Sequence, residues 1–497
     1  MWESFGYGLS IAAKPMNLVY CFLGCVYGTF VGVLPGFGPA AAIALLLPIT
    51  FGMNSASAII MLAGIYYGSM YGGSTTSICV NIPGEAASVV TTFDGYQMAK
   101  RGRAGSALGI AALSSFIAGT LAVAGLSVVS PLVANFALQF GPPEFFSLMV
   151  LGLSIVIYIS FGSVLKAVMT GLFGVTLGTI GWDIVFGHPR NTFGIEYLAD
   201  GLPVIPVVMG LFGISEVISN IEKTGKIEVF KDIGSPYPSM QDVKDSFLAI
   251  LRGSGVGFFL GLLPGGGPIV ATFASYSVEK KLSKHPEKFG TGVIEGVAGP
   301  ESANNAAVQS GFVPLLTLGI PTTPTFALFL AALLIHGIHT GPMLLADHPD
   351  LFWGVIISMY LGNIMLLILN LPLIRIWVRV LEIPYGLLAP LILAFCLVGS
   401  LAESNKAGDA LVMLLFGMIG YLMRKYEYEP APMIIAFILT PVLEVNFRQA
   451  MIISNGSFSI FFAKPISLAC LVITGILYLL AAVPSFKAKR PKLGIEE

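Results

Sequence analysis

The sequence predicts an all-α polytopic membrane protein of two inverted repeats, each with a re-entrant hairpin or broken helix, and roughly 11 spans plus 2 hairpins in all. Three observations lead there: a composition too apolar for a water-facing surface, a glycine-proline phrase that occurs twice, and a loop-charge bias that reverses between the halves. The chain is 55% hydrophobic and 11% charged, with a mean hydropathy of +0.85. A soluble domain carries about 25% charged residues. The 497 residues accommodate roughly a dozen spans at about 20 apolar residues each.

What composition excludes follows quickly. The net charge of −1 comes with no basic patch, so nothing points to nucleic acid. Cys21, Cys25, Cys79, Cys396 and Cys470 lie nearly all in apolar runs and read as small buried hydrophobes. Cys21 and Cys25 share a helical face, but two thiols alone make a poor metal site. The first 16 residues lack a basic region followed by an apolar one, so no cleavable signal peptide is expected. The longest polar stretches, about 20–25 residues, are too short to fold alone.

The phrase Gly32-Val33-Leu34-Pro35-Gly36-Phe37-Gly38-Pro39 returns as Gly261-Leu262-Leu263-Pro264-Gly265-Gly266-Gly267-Pro268. It interrupts apolar runs at 17–50 and 247–278, each longer than one span and shorter than two. Both runs are expected to be hairpins or broken helices. The other runs lie near 57–82, 105–136, 144–160, 163–180, 202–220, 293–335, 351–380, 384–402, 407–423, 430–447 and 466–484. The domain organisation expected is a first repeat over 1–220, a cytoplasmic linker over 221–246, a second repeat with an extra C-terminal helix over 247–484, and a cytoplasmic tail over 485–497.

Lys and Arg set orientation, because cytoplasmic loops carry their excess. The loop Phe51 to Ala56 has none, whereas its counterpart holds Lys280, Lys281, Lys284 and Lys288. The next loop of the first half holds Lys100, Arg101 and Arg103, and its counterpart, His336 to Asp350, has none. The repeats are therefore expected to lie in opposite orientations, with the first hairpin opening outside and the second inside. Arg375, Arg379, Arg424, Lys425 and the tail cations Lys487, Lys489, Arg490 and Lys492 then fall inside. The N-terminus falls outside, with only Lys14 and Glu3 bearing on it.

Glycine and proline break helices, and broken backbone at membrane depth is tolerated only where protein or a watery cavity surrounds it. Half-helix N-termini attract anions and freed carbonyls coordinate cations. Pro35, Gly36, Phe37 and Gly38 with Gly265, Gly266 and Gly267 are thus candidate substrate-binding residues, and Gly38 and Gly267 candidate coupling-ion ligands. The bland alternative is a kink or tight helix packing, which two matched breaks per half disfavour. Gly36-Phe37-Gly38-Pro39-Ala40-Ala41 also fits the dinucleotide fingerprint G-x-G-x-x-A, but the strand and βαβ unit that fingerprint needs are missing.

A run of hydroxyls and glycines, Tyr66 to Ser77, leads into a second break at Asn81-Ile82-Pro83-Gly84. Ser74, Thr75, Thr76, Asn81 and Gly84 are candidates for substrate, against small-residue helix packing as the alternative. In the second half Glu295-Gly296-Val297-Ala298-Gly299-Pro300-Glu301-Ser302-Ala303-Asn304-Asn305 opens the matching span. Glu301 could take a coupling cation or proton, and Asn304 and Asn305 could bind substrate; the alternative makes Glu295 and Glu301 interfacial cap residues. Gly319-Ile320-Pro321-Thr322-Thr323 mirrors the first-half break, adding Pro321, Thr322 and Thr323. Phe93-Asp94-Gly95-Tyr96 reads as a cytoplasmic cap beside positive-inside charges. Trp182, Asp183, His188 and Glu196 read as a solvated outside loop. None of the histidines His188, His285, His336, His339 and His348 lies mid-span. No nucleophile–base pair, H-E-x-x-H or Walker A sequence occurs, so neither enzyme activity nor ATP hydrolysis is expected.

The paired Leu-Pro-Gly-x-Gly-Pro phrases, Tyr67 to Ser74, Asn81 to Gly84, Phe93 to Tyr96 and Glu295 to Asn305 resemble the large membrane subunit of tripartite tricarboxylate transporters, TctA. The likeness spans motifs from Gly32 to Pro324. It implies a multi-pass subunit of a bacterial inner-membrane secondary transporter, an importer of tricarboxylates or related organic carboxylates by symport. Its implied partners are a small four-helix membrane subunit and a periplasmic solute-binding protein that feeds it. No cofactor is implied beyond Na+ or H+ as coupling ion. The expected mechanism is alternating access around breaks that meet near the midplane; an anion channel with a broken-helix pore is the alternative, since channels use similar breaks.

Overall fold

The structure is a computed structural model describing residues 2–34, 38–160, 163–183, 187–222, 230, 233–383, 385–404 and 406–482. Pro35, Gly36 and Phe37 of the first hairpin tip, and the expected tail 485–497, lie outside the described residues. The fold is all-α: the strands among the described residues are Gly181–Trp182 and Pro189–Arg190, paired antiparallel.

In the first half α1 (Trp2–Ala12) and α2 (Pro15–Val33) precede α3 (Pro39–Leu46), which runs into a 3-10 turn, and α4 (Ser55–Val80). Then follow α5 (Val89–Lys100), α6 (Ala104–Ala137), α7 (Pro142–Ile159), α8 (Val164–Gly178), and α9 (Val204–Val208), which passes through a π segment at Met209–Ile214 into α10 (Ser215–Glu222). The second half has α11 (Met240–Gly261), α12 (Gly267–Leu282), α13 (Glu295–Ser310), α14 (Phe312–Leu318), α15 (Pro324–Ile335), α16 (Leu344–Asp347), α17 (Pro349–Asn370) and α18 (Ile374–Val380). The chain closes with α19 (Tyr385–Ser404), α20 (Ala407–Lys425), α21 (Pro430–Ile453), α22 (Ile460–Ala463) and α23 (Pro465–Ala482).

Among the described residues 7 helices are long and apolar enough to cross a membrane: α2, α6, α7, the α9–α10 unit, α17, α20 and α21. The most buried long helix, α4, is not one of them, because its hydroxyl and glycine run lowers its hydropathy. Yet every residue from Ala56 to Val80 is buried. Proline at the first turn starts α2, α3, α12, α15, α17 and α21, where its missing N–H costs nothing. α6 has 34 residues, about 51 Å at 1.5 Å per residue, well beyond the ~30 Å hydrocarbon core.

Helix α11 begins at Met240, before the expected 247, and α12 runs to Leu282, past 278. Local chemistry explains both extensions. Ser239 and Asp242 form a capping box, each side chain accepting from the other's N–H at 3.1 Å. Arg252 and Glu279 then pair across the hairpin, Nε to Oε1 at 2.8 Å, so its polar ends stay helical.

The centre of each half is a glycine seam. Gly24, Gly28 and Gly32 of α2 lie on the carbonyls of Met61, Ile65 and Ser69 in α4. Gly253, Gly257 and Gly261 of α11 lie on those of Gly299, Ala303 and Ala307 in α13. A constant offset relates the two triplets, the same that relates Pro35 to Pro264. A methyl group on Gly28 would meet Ile65 Cα at 2.8 Å, and one on Gly257 would meet Ala303 Cα at 2.7 Å. Only hydrogen fits, as in other close membrane crossings.

Around this centre α7, α8, α21 and α23 pack together, and α20 lies along the π segment. Of the loop residues expected to be solvated, Trp182, His188 and Glu196 are exposed, but Asp183 is buried. Asp183 is 5% exposed and accepts two bonds from Arg448 (2.9 and 2.8 Å), while Arg190 grips Glu444 at 2.6 and 2.7 Å. A carboxylate pulled under the loop needs such partners, and a sequence reading that sees only polarity misses them. The expected linker is partly bound as well: the carbonyls of Ile233, Ser235 and Pro236 rest against Gly105 and Gly109 at the start of α6.

Candidate functional site

Helix α4 ends on Asn81 in the left-handed region (φ 61°, ψ 25°), and α14 ends on Gly319 at φ 70°, ψ 24°. Asparagine is among the few side chains that tolerate this conformation. Four residues on, the chain is extended at Glu85 (φ −143°, ψ 165°) and at Thr323 (φ −141°, ψ 166°). Each then caps the next helix. The Glu85 carboxylate accepts from Ala87 N–H at 2.5 Å, and the Thr323 hydroxyl accepts from Phe326 N–H at 3.3 Å. The two breaks are thus one backbone design used twice.

The shift that carries Asn81 onto Gly319 and Glu85 onto Thr323, a different one from that relating the glycine triplets, also carries Tyr66 onto Asn304. Tyr66 lies 3.5 Å (Oη to Oγ1) from Thr323 of the other half, and Asn304 Nδ2 donates to Glu85 Oε1 at 3.4 Å. Each half's break is therefore touched by a residue of the other half's central helix.

The candidate residues fall into two groups. Gly265, Gly266, Gly267, Pro321, Thr322 and Thr323 come together, because Gly265 N–H donates to Thr322 O at 2.9 Å and a methyl on Gly267 would meet Thr323 Cγ2 at 2.9 Å. Gly265 (φ 74°) and Gly267 (φ 40°) hold left-handed backbone at this tip. In the first half Gly84 packs against Gly73, whose Cα would lie 2.5 Å from a methyl on Gly84, and Thr76 Oγ1 donates to Val33 O at 2.7 Å. Thr76 therefore ties α4 to the end of α2. Gly38 caps α3 with open space at its Cβ position. Asn81 points to an exposed surface, its work being that of a left-handed stop. Thr75 and Ser74 line, with Tyr71 and Ser115, a void of about 10 Å³. That holds about one water and no carboxylate substrate.

Glu301 is fully buried. Its Oε2 accepts from Ser74 Oγ at 2.7 Å and its Oε1 from Thr91 Oγ1. Asn305 Nδ2 reaches Ser115 Oγ at 2.7 Å and the Glu301 carbonyl at 3.2 Å. Asn304 Oδ1, Asn305 Oδ1, Gln309 Oε1 and Thr322 Oγ1 are buried with no hydrogen-bond partner among the described residues. The centre has a surplus of acceptor oxygens. Among the described residues no Lys, Arg or His pairs with Glu301 or Glu85.

Glu85 is the site residue that sequence reasoning missed. It directly follows the Asn81–Gly84 break, and Ser88 three positions on completes a capping box; that pairing in an apolar context was the available signal. Tyr71 and Asn363 were missed too. Tyr71 Oη donates to Asn363 Oδ1 at 2.8 Å, and Asn363 Nδ2 reaches Phe116 O at 2.8 Å, linking α4, α17 and α6. Asp94 caps as expected, but across the halves: it accepts from Gly290 N–H (3.0 Å), Gly292 N–H (2.7 Å), Val293 N–H (2.9 Å) and Tyr276 Oη (2.9 Å). It closes the entry to α13, where Glu295 sits half-buried in the first turn.

A multi-pass helical membrane protein with paired helix breaks beside a buried polar centre has the architecture expected of a transporter. The chain belongs to the tripartite tricarboxylate transporter TctA family, whose model matches residues 18–435. That is a transporter family rather than an enzyme family, and it implies a tripartite system with other subunits. A similar protein is the uncharacterized 52.8 kDa protein in the TAR-I ttuC' 3' region of Agrobacterium vitis, 48% identical over 99% of this chain and 98% of its own length. Another is the uncharacterized protein in the TAR-II ttuC' 3' region of the same organism, 48% identical over 48% of this chain and all of its own. No solved structure matches the chain.

Proposed function

We propose that this subunit imports an organic carboxylate, a tricarboxylate or a relative, across the bacterial inner membrane by cation-coupled symport. A periplasmic solute-binding protein delivers the substrate, and a small four-helix membrane subunit completes the assembly. The repeats, 1–220 and 247–484, run in opposite orientations, with the N-terminus outside and the 221–246 linker and 485–497 tail inside. The substrate carboxylates lie between the two tips, Pro35–Gly38 and Gly265–Gly267, and the two breaks. Ser74, Thr75, Asn304, Asn305, Thr322 and Thr323 supply polar contacts, with Asn81, Gly84, Thr76 and Pro321 shaping the backbone. Glu301 carries the coupling cation, helped by the carbonyls of Gly38 and Gly267.

The observation that supports this reading most is the crossed pair of contacts, Tyr66 to Thr323 and Asn304 to Glu85. It puts both breaks beside one polar centre, as alternating access around a fixed site requires. The reversed loop charges support the opposite orientations. The test is uptake of radiolabelled citrate and other carboxylates by proteoliposomes holding the assembled system. Thr322→Trp is expected to abolish uptake and Glu301→Gln to weaken its dependence on an imposed cation gradient. Wild-type uptake and apparent affinity in both variants would sink the site; linear, non-saturating flux would favour the channel.

A further inference from the structure

The two breaks share a backbone but not a chemistry. Where the second half has the Thr323 hydroxyl, the first has the Glu85 carboxylate in the same cap position. Glu85 is 7% exposed, and a methyl on Gly73 of α4 would lie 2.9 Å from its Cγ. Its Oε2 serves Ala87 N–H, and its Oε1 has the long 3.4 Å contact with Asn304 Nδ2. A threonine would cap the 3-10 turn at Ala86–Ser88 as Thr323 caps α15, so the cap alone does not call for a carboxylate.

The surroundings of Glu85 are short of positive charge. Asn304 is 1% exposed and its Oδ1, on the same planar amide that reaches Glu85, has no partner. Gly73 and Ser74 are neighbours on α4: the first faces Glu85 and the second bonds Glu301. Two carboxylates are therefore buried on adjacent faces, with orphan amide oxygens and no basic side chain paired to either among the described residues. A buried carboxylate without a cationic partner must hold either a proton or a bound cation, and an all-oxygen set of acceptors suits a hard monovalent cation.

We propose that Glu85, with Asn304 Oδ1 turned toward it, binds a sodium ion of its own, a second coupling site beside the one at Glu301. This rests on the symport reading and deepens it: each cycle carries two cations, one per buried carboxylate, and the first-half break is a cation site while the substrate's anionic groups fall to the Thr322–Thr323 side. No bond is made or broken; each ion exchanges its water for protein oxygens and leaves with the substrate.

The test is the thermal melt of the purified full-length chain in detergent during a titration with NaCl against choline chloride at constant ionic strength. A ligand that binds only the folded state raises the melt by mass action. Wild type is expected to be stabilised by Na+ with a limiting slope against ln[Na+] of about two ions per chain, dropping to about one in Glu85→Gln. Gln keeps the oxygen that caps Ala87, so that variant is expected to fold. Asn304→Ala leaves the cap untouched and is expected to move the Na+ midpoint about tenfold higher, the loss of one ligand contact worth ~1.4 kcal/mol. A wild-type melt indifferent to Na+, or a Glu85→Gln response with wild-type midpoint and steepness, overturns the proposal. The melt needs neither substrate nor partner subunits. Failed carboxylate uptake with an intact two-ion response therefore rejects the transport reading alone, and the reverse result rejects the second ion alone.

Discussion

Helix α11 carries a built-in comparison between two glycines two residues apart. A methyl on Gly257 would lie 2.7 Å from Ala303 Cα, whereas nothing comes within 4 Å of one on Gly255. Ordinary carbon contacts sit at about 3.5–4.0 Å, so Gly257→Ala must part α11 from α13 by roughly 1 Å. A gap of that size forfeits about a quarter to a half of each contact's well along the seam, in line with the ~1–3 kcal/mol of an overpacked core. Gly255→Ala adds no clash and removes glycine's backbone entropy, a gain of about 0.5–1 kcal/mol in a helix. The two alanines are expected to differ by about 1.5–4 kcal/mol with opposite signs. Equilibrium unfolding in mixed detergent micelles, followed by circular dichroism, measures the difference. Equal effects from the two would refute the claim that backbone contact, rather than glycine content, holds this crossing.

Gly28→Ala, at the equivalent position of the first half, is expected to cost the same ~1–3 kcal/mol as Gly257→Ala in the same assay, its methyl meeting Ile65 Cα at 2.8 Å. Asp94→Asn weakens charge-assisted bonds to Gly290, Gly292 and Val293, so a loss of about 1.5–3 kcal/mol and faster amide exchange at residues 290–293 are expected. Thr323→Val removes the α15 cap at a cost of about 1 kcal/mol, while Thr323→Ser restores most of it in thermal melts. Asp183→Ala leaves Arg190 and Arg448 sharing Glu444. With the two Arg side chains 27% and 22% exposed, a loss of about 1–2 kcal/mol is expected, read as quicker proteolysis of the 181–190 loop.

Where the sequence was informative, the reason was backbone. Glycine and proline announce breaks because few other residues allow them, so the ends of α2, α4, α11 and α14 were visible as phrases. The α2–α4 and α11–α13 crossings were half visible: glycines at helical spacing suggested close packing, but not which helix they met. Long-range polar pairing was invisible. Glu85 looked like one more loop acid because Asn304, its partner, is more than two hundred positions away, and Asp183 looked solvated because Arg448 is equally remote. Hydropathy also misranked α4, since the hydroxyls that lower its score face protein rather than lipid.

The glycine seams carry a mechanical implication. A crossing held by side chains can slip by repacking rotamers, but α2 on α4 and α11 on α13 rest main chain against main chain, with nothing to repack. Each pair is a stiff bar. Bending is then left to the described points where the regular hydrogen-bond ladder lapses: the tip at 262–266 and the breaks at 81–85 and 319–323. Under the proposed function these joints coincide with the polar positions offered to a ligand, so filling the site and turning the joint become one event.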